Sequence, residues 1–433
     1  MARVIVAAIP VYGHFKPLQA IAADLVRRGH QVTFLTGSCF RQAVETTGAA
    51  FAPLPGNADY DIAELTSTAE RLALPAGPAR LDWDLRHVFF DPLPAQHQGI
   101  QRLLAEANGE PVVVLHDSNF LGMWPVLLGG PGLRPTATVG IGVTPLTLSS
   151  EDTAPFGLGL PPDSSEEGRA RNRETNAAVR EMLLAGPGAY LTEVMSDLGA
   201  VAPDFMMDGM VTLPDRFLQL CVESLEYPRH DAPPGLRYVG ALPPSAAEPA
   251  AALPRWWSEV TAAERVVVVS QGTIANTDPG ELIEPTLRAL ADLDVLVVAT
   301  TGRADSDLKD VPANARVAAF IPFEDLLPHT DVLVSNGGYG GVQQALAHGV
   351  PMVLAGLSED KVEVTARTAW TGAAINLATQ HPAVPDIRKA VESVLALPAY
   401  VDCARRLQVE YATHDPFAEV AGTIDELLAR RAG

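Results

Sequence analysis

"DVLVSNGGYGGVQQALAHGVPMVLA", residues 331 to 355, sets an apolar run, a glycine cluster, a helix-patterned stretch and a second apolar run in direct succession. The two runs read as strands buried on both faces. A helix between two such strands returns the chain to the same edge of a parallel sheet. Four glycines, Gly337, Gly338, Gly340 and Gly341, fall within five residues at the first strand's carboxyl end. A tight strand-to-helix turn uses one or two; more leave the backbone bare where a ligand would approach. Ligands of open α/β sheets bind at that edge. The helix behind it offers unpaired N–H groups and a partial positive charge, which suits an anion such as a diphosphate. The loop is not a Walker A motif, because no Gly-Lys-Ser/Thr follows, and it is not Gly-x-Gly-x-x-Gly.

The same alternation runs outward from this stretch. "RVVVVSQGT", "DVLVVAT" and "ARVAAFIP" are strands and "PGELIEPTLRALADL" is a helix. Near the N-terminus "RVIVAAIP", "LQAIAADLVRRG" and "HQVTFLTG" read as strand, helix and strand, and "PVVVLHDSN" and "ATVGIGV" repeat the buried-strand pattern. "ALPPSAAEPAAALPRWW", residues 241–257, is rich in Pro and Ala without periodicity and reads as a linker. The expected architecture is α/β: two Rossmann-like, doubly wound parallel-sheet domains, residues 1–240 and 258–433, facing across a cleft. The last helix is a candidate to pack back on the first domain. Residues 151–210 open as a Pro/Gly loop and become a charged helix, an excursion of the kind that shapes a ligand pocket.

Bulk numbers narrow the function. Of 433 residues, 47% are apolar and 19% charged, a balance that suits a globular chain with large cores. The net charge of −21 disfavours nucleic acid and anionic membrane surfaces, but not a small anion held by main-chain amides. Cys39, Cys221 and Cys403 show neither pair nor metal spacing and read as free thiols. The first apolar run is too short for a secretory signal, and none approaches the roughly 18 residues of a membrane span. A cytoplasmic monomer or homodimer is expected.

"SNGGYGGVQQALAHGVPMVLAGLSEDKVEVTAR", residues 335–367, resembles the donor-binding signature of family 1 glycosyltransferases, GT-B enzymes that use nucleotide sugars. "GHFKP", "APFGLGLPP", "YPRHDAPPGLRYVGAL" and "VVVVSQGT" resemble stretches of bacterial members acting on natural products. The resemblance makes residues 258–433 the nucleotide-sugar domain and residues 1–240 the acceptor domain. It implies that Ser270, Thr273, Asn336, Gly337, Gly338, Gly340 and Gly341 face the diphosphate. Phe320 would stack on the base, with Ile321 and Gln344 at the base and ribose, and Asp360 and Lys361 at the sugar. Four positions depart from the family pattern. Asn336 stands where the family has His, Gln344 where it has Glu, Lys361 where it has Gln, and Val342 where Ser or Thr is common. Gln344 leaves UDP and dTDP both open. No cofactor is implied beyond the nucleotide sugar as co-substrate, and no metal.

Glycosyl transfer requires that an acceptor oxygen lose a proton while the diphosphate departs. His14, in "YGHFKP" just after the first strand, is the candidate base, since imidazole ordinarily titrates near neutral pH. The resemblance assigns Asp117, at the end of "VVVLHD", to hold that imidazole. "DWD" at 82–84 and "DSD" at 305–307 have Asp-x-Asp spacing but follow no convincing buried strand. Trp83, Phe89, Phe90, Phe120, Met123 and Trp124 are candidates for an apolar acceptor pocket, with core packing the alternative for most of them. The expected reaction is inverting transfer, UDP-glucose first, to a hydroxyl of a phenol, polyketide or macrolide. The alternatives are a dTDP-deoxysugar donor, a sugar-nucleotide epimerase of the same fold, or a catalytically silent helper.

Overall fold

The computed structural model describes residues 2–75, 77–243, 253–272, 278–303, 308 and 310–432. Thr273, Asp305, Ser306, Asp307 and most of the linker lie outside the described residues.

The first sheet comprises β1 (Arg3–Ala7), β2 (Gln31–Thr36), β3 (Ala50–Pro53), β4 (Val112–Asp117), β5 (Ala137–Gly142), β6 (Arg216–Gln219) and β7 (Leu236–Tyr238). Its order is β3-β2-β1-β4-β5-β6-β7, and every pairing is parallel. The second sheet comprises β8 (Val266–Ser270), β9 (Leu296–Thr300), β10 (Ala315–Ala318), β11 (Val332–Ser335), β12 (Met352–Leu354) and β13 (Ala374–Asn376). It runs β10-β9-β8-β11-β12-β13, again all parallel. The central strands are Val-rich and buried along their whole length, as strands covered by helices on both faces must be.

In each sheet the strand order reverses beside the first strand of the domain. The chain winds outward one way from β1 through β2 and β3, then returns to start again at β4; β8 and β11 flank the matching point in the second sheet. Ligand crevices of doubly wound sheets form at such reversals. The helices that open there are α1 (Tyr12–Arg27), after β1, and α3 (Tyr339–Ala347), after β11; between them in sequence α2 (Glu166–Met182) forms the charged part of the 151–210 excursion.

Two later helices tie the domains together. α4 (Lys361–Trp370) begins directly after Asp360. α5 (Pro416–Ala432) is terminal, and its Val420, Ala421, Ile424 and Leu427 are buried in the core built on β1, β4 and α1. Its Glu426 pairs with Arg216 of β6 at 3.0 Å and with Arg237 of β7 at 3.1 Å. The N-terminal core is thus closed by the chain's last helix.

Candidate active site

β4 ends on Asp117, which is completely buried. Its Oδ2 accepts the Ile9 amide at 2.9 Å and its Oδ1 accepts the Asn119 amide at 2.7 Å. Both bonds come from chain turning off neighbouring strand ends, so the carboxylate is fixed by main chain. His14, in the first turn of α1, places Nδ1 3.0 Å from Asp117 Oδ1, and its side chain is 13% exposed. A carboxylate oxygen accepts, so Nδ1 carries the proton that joins the pair. A Cβ on Gly13 would meet nothing within 4 Å, so no other part of the protein covers that residue of the turn.

His116, the neighbour on β4, behaves as strand alternation requires. It is buried, with Nδ1 2.9 Å from the Asp117 carbonyl, and burial pushes its ionisation down. It belongs to the packing rather than to the open site. Tyr60 was not foreseen. Burial and the charge of Asp117 push its phenol well up, so it stays a neutral hydroxyl near the pair.

At the second reversal the groups are main chain and hydroxyl. Ser270 and Ser335 are register partners at the ends of β8 and β11. Their Oγ atoms accept the amides of Gly272 at 3.3 Å and Gly337 at 3.2 Å, turning both chains off the sheet. Gly337 has φ +84°, and a Cβ there would lie 2.5 Å from Thr365 Cγ2, so only glycine fits. Gly338 is the N-cap of α3, and a Cβ on Gly340 would meet nothing within 4 Å. The amides opening α3 therefore face free space, as an anion site requires. Asn336 is 5% exposed, and its Nδ2 donates to the Gln271 carbonyl at 2.6 Å. The amide that replaces the family's His thus binds one strand end to the other.

The remaining donor-side candidates divide by exposure. Phe320, between β10 and the next helix, is 55% exposed, while Ile321 is buried beneath it. Gln344 is half-buried on α3. Asp360 is half-buried at the start of α4; burial pushes its carboxyl up, against the opposing pull of Lys361. Charge on the His14 imidazole would pull the same carboxyl down, the least of the opposing effects. Lys361 is buried and its Nζ is paired with Glu359.

Of the apolar candidates, Phe90, Phe120, Met123 and Trp124 are fully buried in two cores, and Trp83 is nearly so. They pack the N-terminal domain; Phe89, partly buried between both cores, is the one at a boundary. The segment Leu85–Phe90 is a π-helical turn, which no residue pattern signalled. Asp82 and Asp84 are spent on Arg86 at 2.9 Å and Arg71 at 2.6 Å, so the 82–84 spacing is fortuitous. Asp152, His230 and Asp231 also converge. Asp152 is already bonded to His230 and Arg169, and Asp231 to Ser150.

Comparison with known proteins decides the family. UDP-glycosyltransferase 2 of Phaeomoniella chlamydospora is 49% identical, over 99% of this chain and 96% of its own length. The chain belongs to the family 1 glycosyltransferases. UDP-glucosyltransferase A1 of Starmerella bombicola is 36% identical to this glycosyltransferase over 99% of the chain and 93% of its own length. Residues 284–427 match the family described as erythromycin biosynthesis protein CIII-like, C-terminal domain. Among solved structures, the glycotransferase of kitacinnamycin superposes with a TM-score of 0.74, 23% identity and 99% coverage of both chains, which shows the GT-B fold. The glycosyltransferase transfers sugar from a nucleotide sugar to a small-molecule acceptor. Among its described residues no helix is long and apolar enough to cross a membrane.

Buried ionic groups join the halves of this glycosyltransferase. Arg367 of α4 donates from Nε to Glu226 Oε2 at 2.9 Å and from Nη2 to the Leu146 carbonyl at 3.1 Å, and Nη1 pairs with Glu363. Burial alone would raise the Glu226 carboxyl, but Arg367 and Arg229 outweigh it and hold it below its usual range. Arg367 closes the stretch quoted above for its family resemblance, but nothing in the sequence signalled Glu226 as its partner.

Proposed function

We propose that the enzyme inverts the sugar it transfers, with a UDP-linked hexose, UDP-glucose first, as donor and a hydroxyl of a hydrophobic natural product as acceptor. The observation that carries the reading is the opposition of the two strand-order reversals. The His14–Asp117 pair stands at one and the open amides of Gly338 to Gly341 at the other, with Asp360 in charge range of His14. The acceptor hydroxyl gives its proton to His14 Nε2. Its oxygen forms a bond to the anomeric carbon, and the bond from that carbon to the diphosphate oxygen breaks on the opposite face. Asp117 stabilises the imidazolium that results. The diphosphate takes up the electron pair against main-chain N–H groups, which need no reorganisation as charge develops. An α-linked donor then gives a β-linked product.

UDP is favoured over dTDP by the names of both sequence relatives, and a polyketide-like acceptor by the description of the matching C-terminal family. Calorimetric titration with UDP, UDP-glucose and dTDP, followed by NMR of the product's anomeric coupling with a phenolic acceptor, tests the whole. Saturable UDP binding and a β-coupled glycoside are expected. An α-coupled product would remove the inverting mechanism, and donor epimerised without acceptor would make the enzyme an epimerase.

A further inference from the structure

The segment 154–160, "APFGLGL", leaves the acceptor domain after β5 and ends against the donor domain. Glu363, in the first turn of α4, receives it. One carboxylate oxygen, Oε1, accepts the Gly157 amide at 2.7 Å and the Gly159 amide at 2.9 Å. The other, Oε2, takes Nη1 of Arg367. Arg367 in turn reaches Glu226 and the Leu146 carbonyl of the acceptor domain, and Glu226 Oε1 accepts the Leu146 amide at 2.7 Å. The Phe156 and Tyr227 rings flank the guanidinium at 5.9 and 4.5 Å. Glu363, Arg367 and Glu226 are 3%, 2% and 2% exposed.

A merely solvated interdomain contact would not be this dry or this fully bonded. With Arg229, 3.4 Å from Glu226, the cluster holds two cations and two anions, so the buried charge balances. The same first turn of α4 directly follows Asp360, the residue assigned to the donor sugar. Fixing that turn to the acceptor domain fixes how far Asp360, and the donor sugar it would hold, stand from the base.

We infer that Glu363, with Arg367 and Glu226, is a positioning latch for the transfer step. It sets the spacing between the donor sugar and the acceptor hydroxyl and holds the 154–160 segment closed over the junction, without contributing to nucleotide binding. The inference rests on the assignment of donor to the second domain and acceptor to the first. With the latch loosened, water enters in place of the acceptor. A water oxygen then bonds to the anomeric carbon, its proton goes to His14, and the diphosphate leaves, so donor is hydrolysed rather than transferred.

Two variants test this. Glu363→Gln keeps shape but loses the charge that holds Arg367. Gly159→Ala touches no charge; its Cβ would lie 2.9 Å from Val362 Cγ2 and 3.0 Å from the Val362 carbonyl, at φ +61°, and so lifts the segment off α4. The Kd for UDP, the kcat and acceptor KM for transfer, and donor hydrolysis without acceptor are measured for both. Misplacement of reacting groups by about 1 Å costs up to roughly a hundredfold. The expected result is a transfer efficiency lowered about tenfold or more, a higher ratio of hydrolysis to transfer, and a UDP Kd within about twofold of wild type. Transfer unchanged in both variants, or UDP affinity falling in step with transfer, would overturn the latch. Should Glu363→Gln fail to fold, Gly159→Ala alone decides. Wild-type protein that binds no UDP would instead defeat the proposed function.

Discussion

The two strand-order reversals are topologically alike and chemically opposite. Beside β1 and β4 the working groups are side chains, an imidazole held by a buried carboxylate. Beside β8 and β11 they are main-chain amides and hydroxyls, and the Asn336 side chain braces the strand ends. Both places are open, since a Cβ at Gly13 or at Gly340 meets nothing within 4 Å. The difference fits the task proposed for each. A proton must be taken up and released, which needs a titratable group. A departing diphosphate is negative throughout, so fixed dipoles suffice and a chain of net charge −21 needs no cluster of lysines there.

The largest expected effect comes from erasing the side-chain half of that contrast. His14→Ala should lower kcat by about 10²–10⁴-fold, the range for losing a positioned general base. UDP affinity, which the proposal assigns to the other domain, should hold. Steady-state kinetics with a phenolic acceptor, set beside a UDP titration, reads both. A variant with near-normal turnover would leave the comparison without its proton-transfer half.

How legible each half was in the sequence follows from how local its determinants are. Strands covered on both faces leave continuous apolar runs such as "VVVVS" and "VVVLHD", so the central strands of both sheets could be read directly, while β3, β6, β7 and β13, three or four residues each, left no such run. The glycine cluster and the His14 loop sit directly after such runs and were legible for the same reason. Side chains that meet across the cleft leave no spacing. Glu226 and Arg367 lie 141 residues apart, and neither stands in a pattern that names the other. Residue type did not tell direction either. Trp124 and Phe120 suit an aromatic pocket but point into the cores. Lys361 occupies a sugar-reading position in the motif, yet it is buried against Glu359.

A smaller effect should separate the glycines, which sequence alone treats as equals. Gly340→Ala adds a methyl that touches no protein atom, and Ala in place of Gly within a helix gains about 0.5–1 kcal/mol. The variant should therefore melt no lower than wild type while UDP affinity falls about tenfold, or ~1.4 kcal/mol. Gly337→Ala should do the reverse in stability, because φ is +84° and the methyl strikes Thr365 at 2.5 Å. Thermal melts paired with UDP titrations test the two together. Wild-type affinity in Gly340→Ala would mean the diphosphate lies elsewhere.

The mildest prediction concerns Phe320, whose ring is 55% exposed where packing gives it no reason to be aromatic. If it stacks on the base, Phe320→Ala should weaken UDP by about 1 kcal/mol, near the low end for base–aromatic stacking. The fold should be untouched. Stacking reads a flat face and not its substituents, so UDP and dTDP should lose affinity by the same factor. Gln344, half-buried on α3, is placed by its family resemblance at the ribose, where the two nucleotides differ. Gln344→Glu should consequently move the ratio of UDP to dTDP affinity while Phe320→Ala leaves that ratio alone. Competition titrations with both nucleotides on both variants distinguish the roles. A Phe320 variant that shifts the ratio would show that the ring touches more than the base and that the nucleotide sits differently against β10 and α3.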